Sequence, residues 1–144
     1  MVAIADIYRF IRLELDNPNA ALKPDTDIFT SFDLSADVCA DLMEHFADNF
    51  KVDISDYLWY FHHGEAGLNV GGLVFSPPYN RVERIPITPA ILRESAKEKC
   101  WKLTYPEHSI PKKRLDMWIN KVILFLIFGY FLNRFATPLL ERFL

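Results

Sequence analysis

Between Val122 and Leu132 the chain runs for eleven residues without a charged side chain, through Val-Ile-Leu-Phe-Leu-Ile-Phe-Gly-Tyr-Phe-Leu. Three turns of helix built from them would be apolar on every side, so the segment has no face for water and needs lipid or protein around it. Met117, Trp118 and Ile119 lengthen it to the sixteen residues 117–132, with Asn120 and Lys121 inside. At about 1.5 Å per residue that is roughly 24 Å, less than the ~30 Å of a hydrocarbon core, and Phe135 to Leu140 would complete a span that accommodates Asn133 and Arg134. Lys121 can snorkel, and Trp118 and Tyr130 suit membrane interfaces. Lys112, Lys113 and Arg114 precede the run, which by the positive-inside rule leaves the preceding domain in the cytoplasm, at the inner face of the membrane. A membrane anchor through residues 117–132 is the leading expectation. A helix bound to a partner and a helix packed on its own domain are the other two uses of such a segment.

Charge divides the chain at the same place. Residues 1–110 carry 10 Lys plus Arg against 17 Asp plus Glu, whereas residues 111–144 carry 6 basic and 2 acidic residues. An acidic helical domain, 1–110, followed by a basic, apolar C-terminal helix, 111–144, is the expected organisation. The acidic balance and the absence of a Lys/Arg stripe argue against nucleic acid as a partner, because phosphate backbones are bound through basic neutralisation. Cys39 and Cys100 show neither the paired spacing of a zinc site nor that of a redox motif, consistent with a reducing cytosolic setting. Met1 to Phe10 lacks the basic and apolar regions of a secretory signal.

Periodicity predicts an all-α domain. Ile4, Ile7, Tyr8, Ile11 and Leu15 recur at helical intervals up to the break at Asn17-Pro18-Asn19. A second helix is expected over Ala36 to Phe50, with Cys39, Leu42, Met43, Phe46 and Phe50 as its apolar stripe and Asp33, Ser35 or Asp37 as its cap. Ser55 or Asp56 would open a short third helix through Phe61. Four of the five glycines fall at Gly64, Gly67, Gly71 and Gly72, so Gly64 to Pro86 reads as an irregular insertion, with a small hairpin through Leu73-Val74-Phe75 and Val82 to Ile87. Thr88-Pro89 reads as a cap with proline at the first helical position, opening a last core helix striped by Ile91, Leu92, Ala96 and Cys100.

This order of elements, and the segment Asp33-Leu34-Ser35-Ala36-Asp37-Val38-Cys39-Ala40-Asp41-Leu42-Met43-Glu44-His45-Phe46-Ala47-Asp48-Asn49-Phe50-Lys51-Val52-Asp53-Ile54, resembles acyl carrier proteins. The resemblance is closer still to a group of uncharacterised bacterial carrier-protein-like proteins, in which an acidic second helix precedes Phe-x-Val-Asp and a late helix begins Thr-Pro. It covers roughly residues 3–100 and implies an acyl-carrier-like four-helix bundle. Carriers hold 4′-phosphopantetheine on the serine of an Asp-Ser-Leu motif at the start of the second helix. Here Ser35 is the nearest hydroxyl, preceded by Leu34 rather than aspartate and followed by Ala36-Asp37, and its leading reading is a plain helix cap.

The resemblance also implies that partners dock on the acidic second helix. From Asp25 to Asp56 there are nine acidic side chains and one lysine, which would present Asp37, Asp41, Glu44 and Asp48 to a basic partner surface, or simply form a solvated face. The other constellations are weaker. His62-His63-Gly64-Glu65 lacks the i, i+4 spacing of helical zinc sites, so no metal is expected. Cys39 and His45 would lie on different faces of one helix, which disfavours a nucleophile and base pair. Trp59, Tyr60, Phe61, Phe75 and Tyr79 are expected to cover a core or the base of the insertion. Two readings result. One is a non-enzymatic interaction module, tethered by its C-terminus and needing no cofactor; the other is a true carrier bearing 4′-phosphopantetheine on Ser35.

Overall fold

The computed structural model describes residues 1–143, with side-chain surroundings through Phe135. It is all-α: α1 spans Ile4–Glu14, α2 Ile28–Ser31, α3 Ala36–Phe50, α4 Pro89–Glu98 and α5 Leu115–Phe143, with 3-10 turns at Trp59–Phe61, Gly71–Leu73 and Pro78–Asn80. The described residues contain no strand, and the hairpin expected in the insertion is replaced by two of these turns. Gly71-Gly72 and Pro77-Pro78 account for the difference, since glycine weakens and proline interrupts a strand ladder. A lone bridge, Asp53 with Cys100, is the only β pairing among the described residues. Cys100 thus leaves the stripe of the late helix, which ends at Glu98 before a left-handed Lys99. The expected third helix shrinks to the turn Trp59–Phe61.

The chain forms two compact units, Met1–Ala66 with Val82–His108, and Gly67–Arg81 with Ser109–Leu144. The insertion segment 67–81 therefore groups with the C-terminal helix, whereas the charge boundary lies at 110/111.

In the first unit each helix starts where its sequence supplies a cap. The Asp6 carboxylate accepts from the Ala3 N–H at 2.9 Å, the Ser35 hydroxyl from Val38 N–H at 3.5 Å, and the Thr88 hydroxyl from Ile91 N–H at 3.4 Å. Each satisfies an amide that the first helical turn leaves without a partner. The Lys99 ammonium donates to the Phe50 carbonyl at 2.6 Å, placing a cation at the negative end of α3. Ile7, Phe10 and Ile11 of α1, Cys39, Leu42, Met43 and Phe46 of α3, and Leu92 and Ala96 of α4 make the core with Ile28, Phe29, Val52, Ile87 and Trp101.

Candidate functional site

Asp37, Asp41, Glu44 and Asp48 all stand on the exposed side of α3, opposite the buried stripe. Helical spacing puts Asp37, Asp41, Glu44 and Asp48 in one row of i, i+3 and i, i+4 neighbours. Among the described residues none of the four carboxylates is ion-paired. Val38, 40% exposed, adds an apolar group to the same region. His45 is turned to α1, where its Nδ1 meets a Glu14 carboxylate oxygen at 2.7 Å, and this hydrogen bond raises the imidazole above its ordinary pKa. Cys39 is buried and its thiol, pushed up to about 11 by that burial, points to the Leu34 carbonyl at 3.8 Å. The cysteine and the histidine are therefore not brought together.

His62 and His63 part company. His62 is fully buried: its Nδ1 lies 2.8 Å from the Ile85 carbonyl and its Nε2 lies 2.8 Å from the Tyr105 hydroxyl. That hydroxyl already accepts from the Trp101 indole N–H at 2.9 Å and from Leu58 N–H at 3.1 Å, so its own proton is free for Nε2. The network closes with a neutral imidazole protonated on Nδ1, and burial pushes the His62 pKa down to about 4. His63 Nδ1 meets the Gly64 carbonyl at 2.7 Å. Arg84 joins this region to α2 by a two-pronged ion pair with Asp27, at 2.7 and 2.9 Å, and its Nε donates to the His62 carbonyl at 3.0 Å. Phe61 is buried and Trp59 and Tyr60 are half-buried in this unit, whereas Phe75 is exposed on the other. No group of three His, Cys, Asp or Glu among the described residues is disposed to hold a metal ion.

The second unit is built around α5. Its segment Leu115–Phe135 is, by length and composition, long and apolar enough to cross a membrane. Those 21 residues extend about 32 Å, which matches a hydrocarbon core of about 30 Å. Leu124, Phe125, Leu126, Phe128, Tyr130 and Phe135 are each at least 60% exposed, so apolar side chains emerge on all sides of the helix.

The helix begins in a polar clasp that sequence reasoning missed. Asp116 and Asn120, one turn apart on α5, both face the insertion. The Asn69 amide donates to Asp116 at 2.9 Å, Gly71 N–H donates to the Asn120 side-chain oxygen at 2.8 Å, and the Asn69 side-chain oxygen accepts from Gly72 N–H at 2.8 Å and from the Asn120 amide at 2.9 Å. Arg114 completes the set with bonds of 2.9 and 2.6 Å to the two Asp116 oxygens. The available signal was an acid and an amide spaced i, i+4 at the start of an apolar helix, together with Asn69-Val70-Gly71-Gly72.

Gly71 is required by close approach, because a Cβ there would overlap the Asp116 carbonyl. Gly71→Ala is expected to release the loop from α5 at a cost of about 1–3 kcal/mol, the usual penalty of overpacking. Hydrogen exchange checks this: amides of residues 69–75 should lose protection while those of α3 keep theirs.

The family model described as Protein of unknown function (DUF1493) matches residues 3–104. The chain belongs to that family. No curated protein and no solved structure matches it. The DUF1493 match covers the whole of Asp33 to Ile54, the segment on which the acyl-carrier resemblance rested, and it corrects that resemblance: the match is to a family described as of unknown function and not to acyl carriers. The basis for a prosthetic group on Ser35 goes with it, and the Ser35 hydroxyl caps α3. The DUF1493 region includes the insertion and stops short of α5.

Proposed function

We propose that this chain is a non-enzymatic interaction module, anchored in the membrane by α5 and offering the acidic face of α3 to a basic partner on the cytoplasmic side. The observation that carries the reading is the exposure of apolar side chains all around α5, which leaves a surface that water does not tolerate and lipid does. Lys112, Lys113 and Arg114 ahead of the helix support the cytoplasmic placement. The row Asp37, Asp41, Glu44 and Asp48, exposed and without ion pairs among the described residues, supports a partner of opposite charge.

Anchoring is tested by carbonate extraction of membranes carrying the full chain, which should leave the protein in the pellet. Its release into the supernatant would overturn the anchor. The partner surface is tested by capture from detergent extract. Partners held at low salt should be lost both in high salt and from a variant with Asp41→Asn, Glu44→Gln and Asp48→Asn, because exposed charge pairs are screened over about 8–10 Å. Capture indifferent to both would overturn the acidic face of α3 as a partner surface.

A further inference from the structure

The segment clasped to the start of α5 carries an apolar surface of its own. Leu68 and Leu73 are each 87% exposed and Val74 is 69% exposed, with Phe75 at 39% and Val70 at 37%. Such side chains are ordinarily the ones a loop buries, and here they lie on the outside of a backbone fixed in place by Asn69, Gly71 and Gly72. The clasp reaches α5 at Asp116 and Asn120, and the charge-free run begins two residues after Asn120, about 3 Å further along the axis. The loop is therefore held at the level where the helix passes from polar to apolar. Exposed Lys112, Lys113, Lys121 and Arg81 belong to the same unit, giving it the cationic rim that anionic headgroups attract.

We propose that the Gly67–Arg81 loop is a second membrane-contacting element, which lays Leu68, Leu73 and Val74 into the interfacial layer of the leaflet that α5 enters. The inference rests on the anchoring reading above. Interfacial segments of this kind bury apolar side chains about 5–10 Å deep, at the headgroup and acyl boundary, with basic residues among the headgroups. The clasp also satisfies the polar groups at the entry of α5, since Asp116 and Asn120 bond to the loop and to Arg114.

The test reconstitutes the full chain into phosphatidylcholine and phosphatidylglycerol vesicles and reads an environment-sensitive fluorophore at Leu73→Cys, at Leu68→Cys as a second loop site, and at Phe128→Cys. The background is Cys100→Ala, with the unlabelled buried Cys39 as blank. Loop probes should shift to the blue and lose emission to nitroxide lipids quenching near the headgroups, while the Phe128 probe loses emission to nitroxides deep in the acyl chains. Loop probes that keep aqueous emission while Phe128 is quenched would overturn the loop contact and leave the anchor standing. Loop probes shifted to the blue but untouched by nitroxide lipid would overturn it in favour of protein cover, such as a second copy of the chain. A Phe128 probe untouched by any lipid quencher would overturn both.

Discussion

Arginine at both Phe125 and Leu126 is expected to move the chain from the carbonate-resistant membrane pellet into the soluble fraction. The two positions lie at the middle of Leu115–Phe135 and are 75% and 64% exposed. On an insertion scale each arginine near the centre of a span costs about 3 kcal/mol, and each lost Phe or Leu removes a few tenths more, so the pair opposes insertion by roughly 6–7 kcal/mol. Both side chains are mostly exposed and belong to the second unit, so the first unit should keep its helical circular dichroism and its melting transition. The paired control is Lys121→Gln with Arg134→Gln, which removes two charges from the same helix and should leave the protein in the pellet. Double-arginine protein that still resists carbonate would show that something other than α5 holds the chain to the membrane.

Most of the first unit was legible because its helices obey local rules. Cys39, Leu42, Met43 and Phe46 recur at helical spacing behind a serine cap, and α3 spans Ala36–Phe50 as the pattern predicts. Thr88-Pro89 marks the start of α4 in the same way. The apolar stripe extends the predicted late helix to Cys100, yet Lys99 takes a left-handed conformation and Cys100 pairs with Asp53, a contact between residues far apart in sequence. The insertion failed for a similar reason. Leu73-Val74-Phe75 has strand-forming residues, but Gly71 lies against α5 and a 3-10 turn forms there instead. The clasp leaves only a weak local signal, because Asn69 and Asn120 are unremarkable until folding brings residues 51 positions apart within hydrogen-bond reach. The carrier resemblance, drawn from the order of elements and from the segment Asp33 to Ile54, does not survive the family match, because a helix order and a short motif fix a local pattern without fixing a family.

The buried His62 should make the first unit sensitive to acid in a window set by one imidazole. Folded, its pKa is lowered to about 4 by burial, while the unfolded chain returns it to about 6.5. Above pH 6.5 both states are neutral and the network with Ile85 and Tyr105 contributes in full. Between 6.5 and 4 the unfolded state takes up a proton that the folded state refuses, so stability falls as pH falls, by about 3 kcal/mol across the window. His63, also lowered by burial, acts in the same direction. His45 acts oppositely, since its raised pKa gives stability that is present at low pH and lost as pH rises through its folded value. Asp27 is partly buried, which works against its carboxylate, but the Arg84 ion pair outweighs this and lowers its pKa, so its contribution is lost only at pH below the His62 window. Denaturant unfolding of the detergent-solubilised chain of 144 residues at a series of pH values reads the slope directly. His62→Gln should lose about 1–3 kcal/mol at neutral pH, because the Tyr105 hydroxyl and the Ile85 carbonyl lose a matched partner, and it should flatten most of the slope between pH 6.5 and 4. A His62→Gln protein with the full wild-type slope, or an imidazole resonance of His62 that titrates near 6.5 in the folded protein, would refute the neutral buried imidazole and the network built on it.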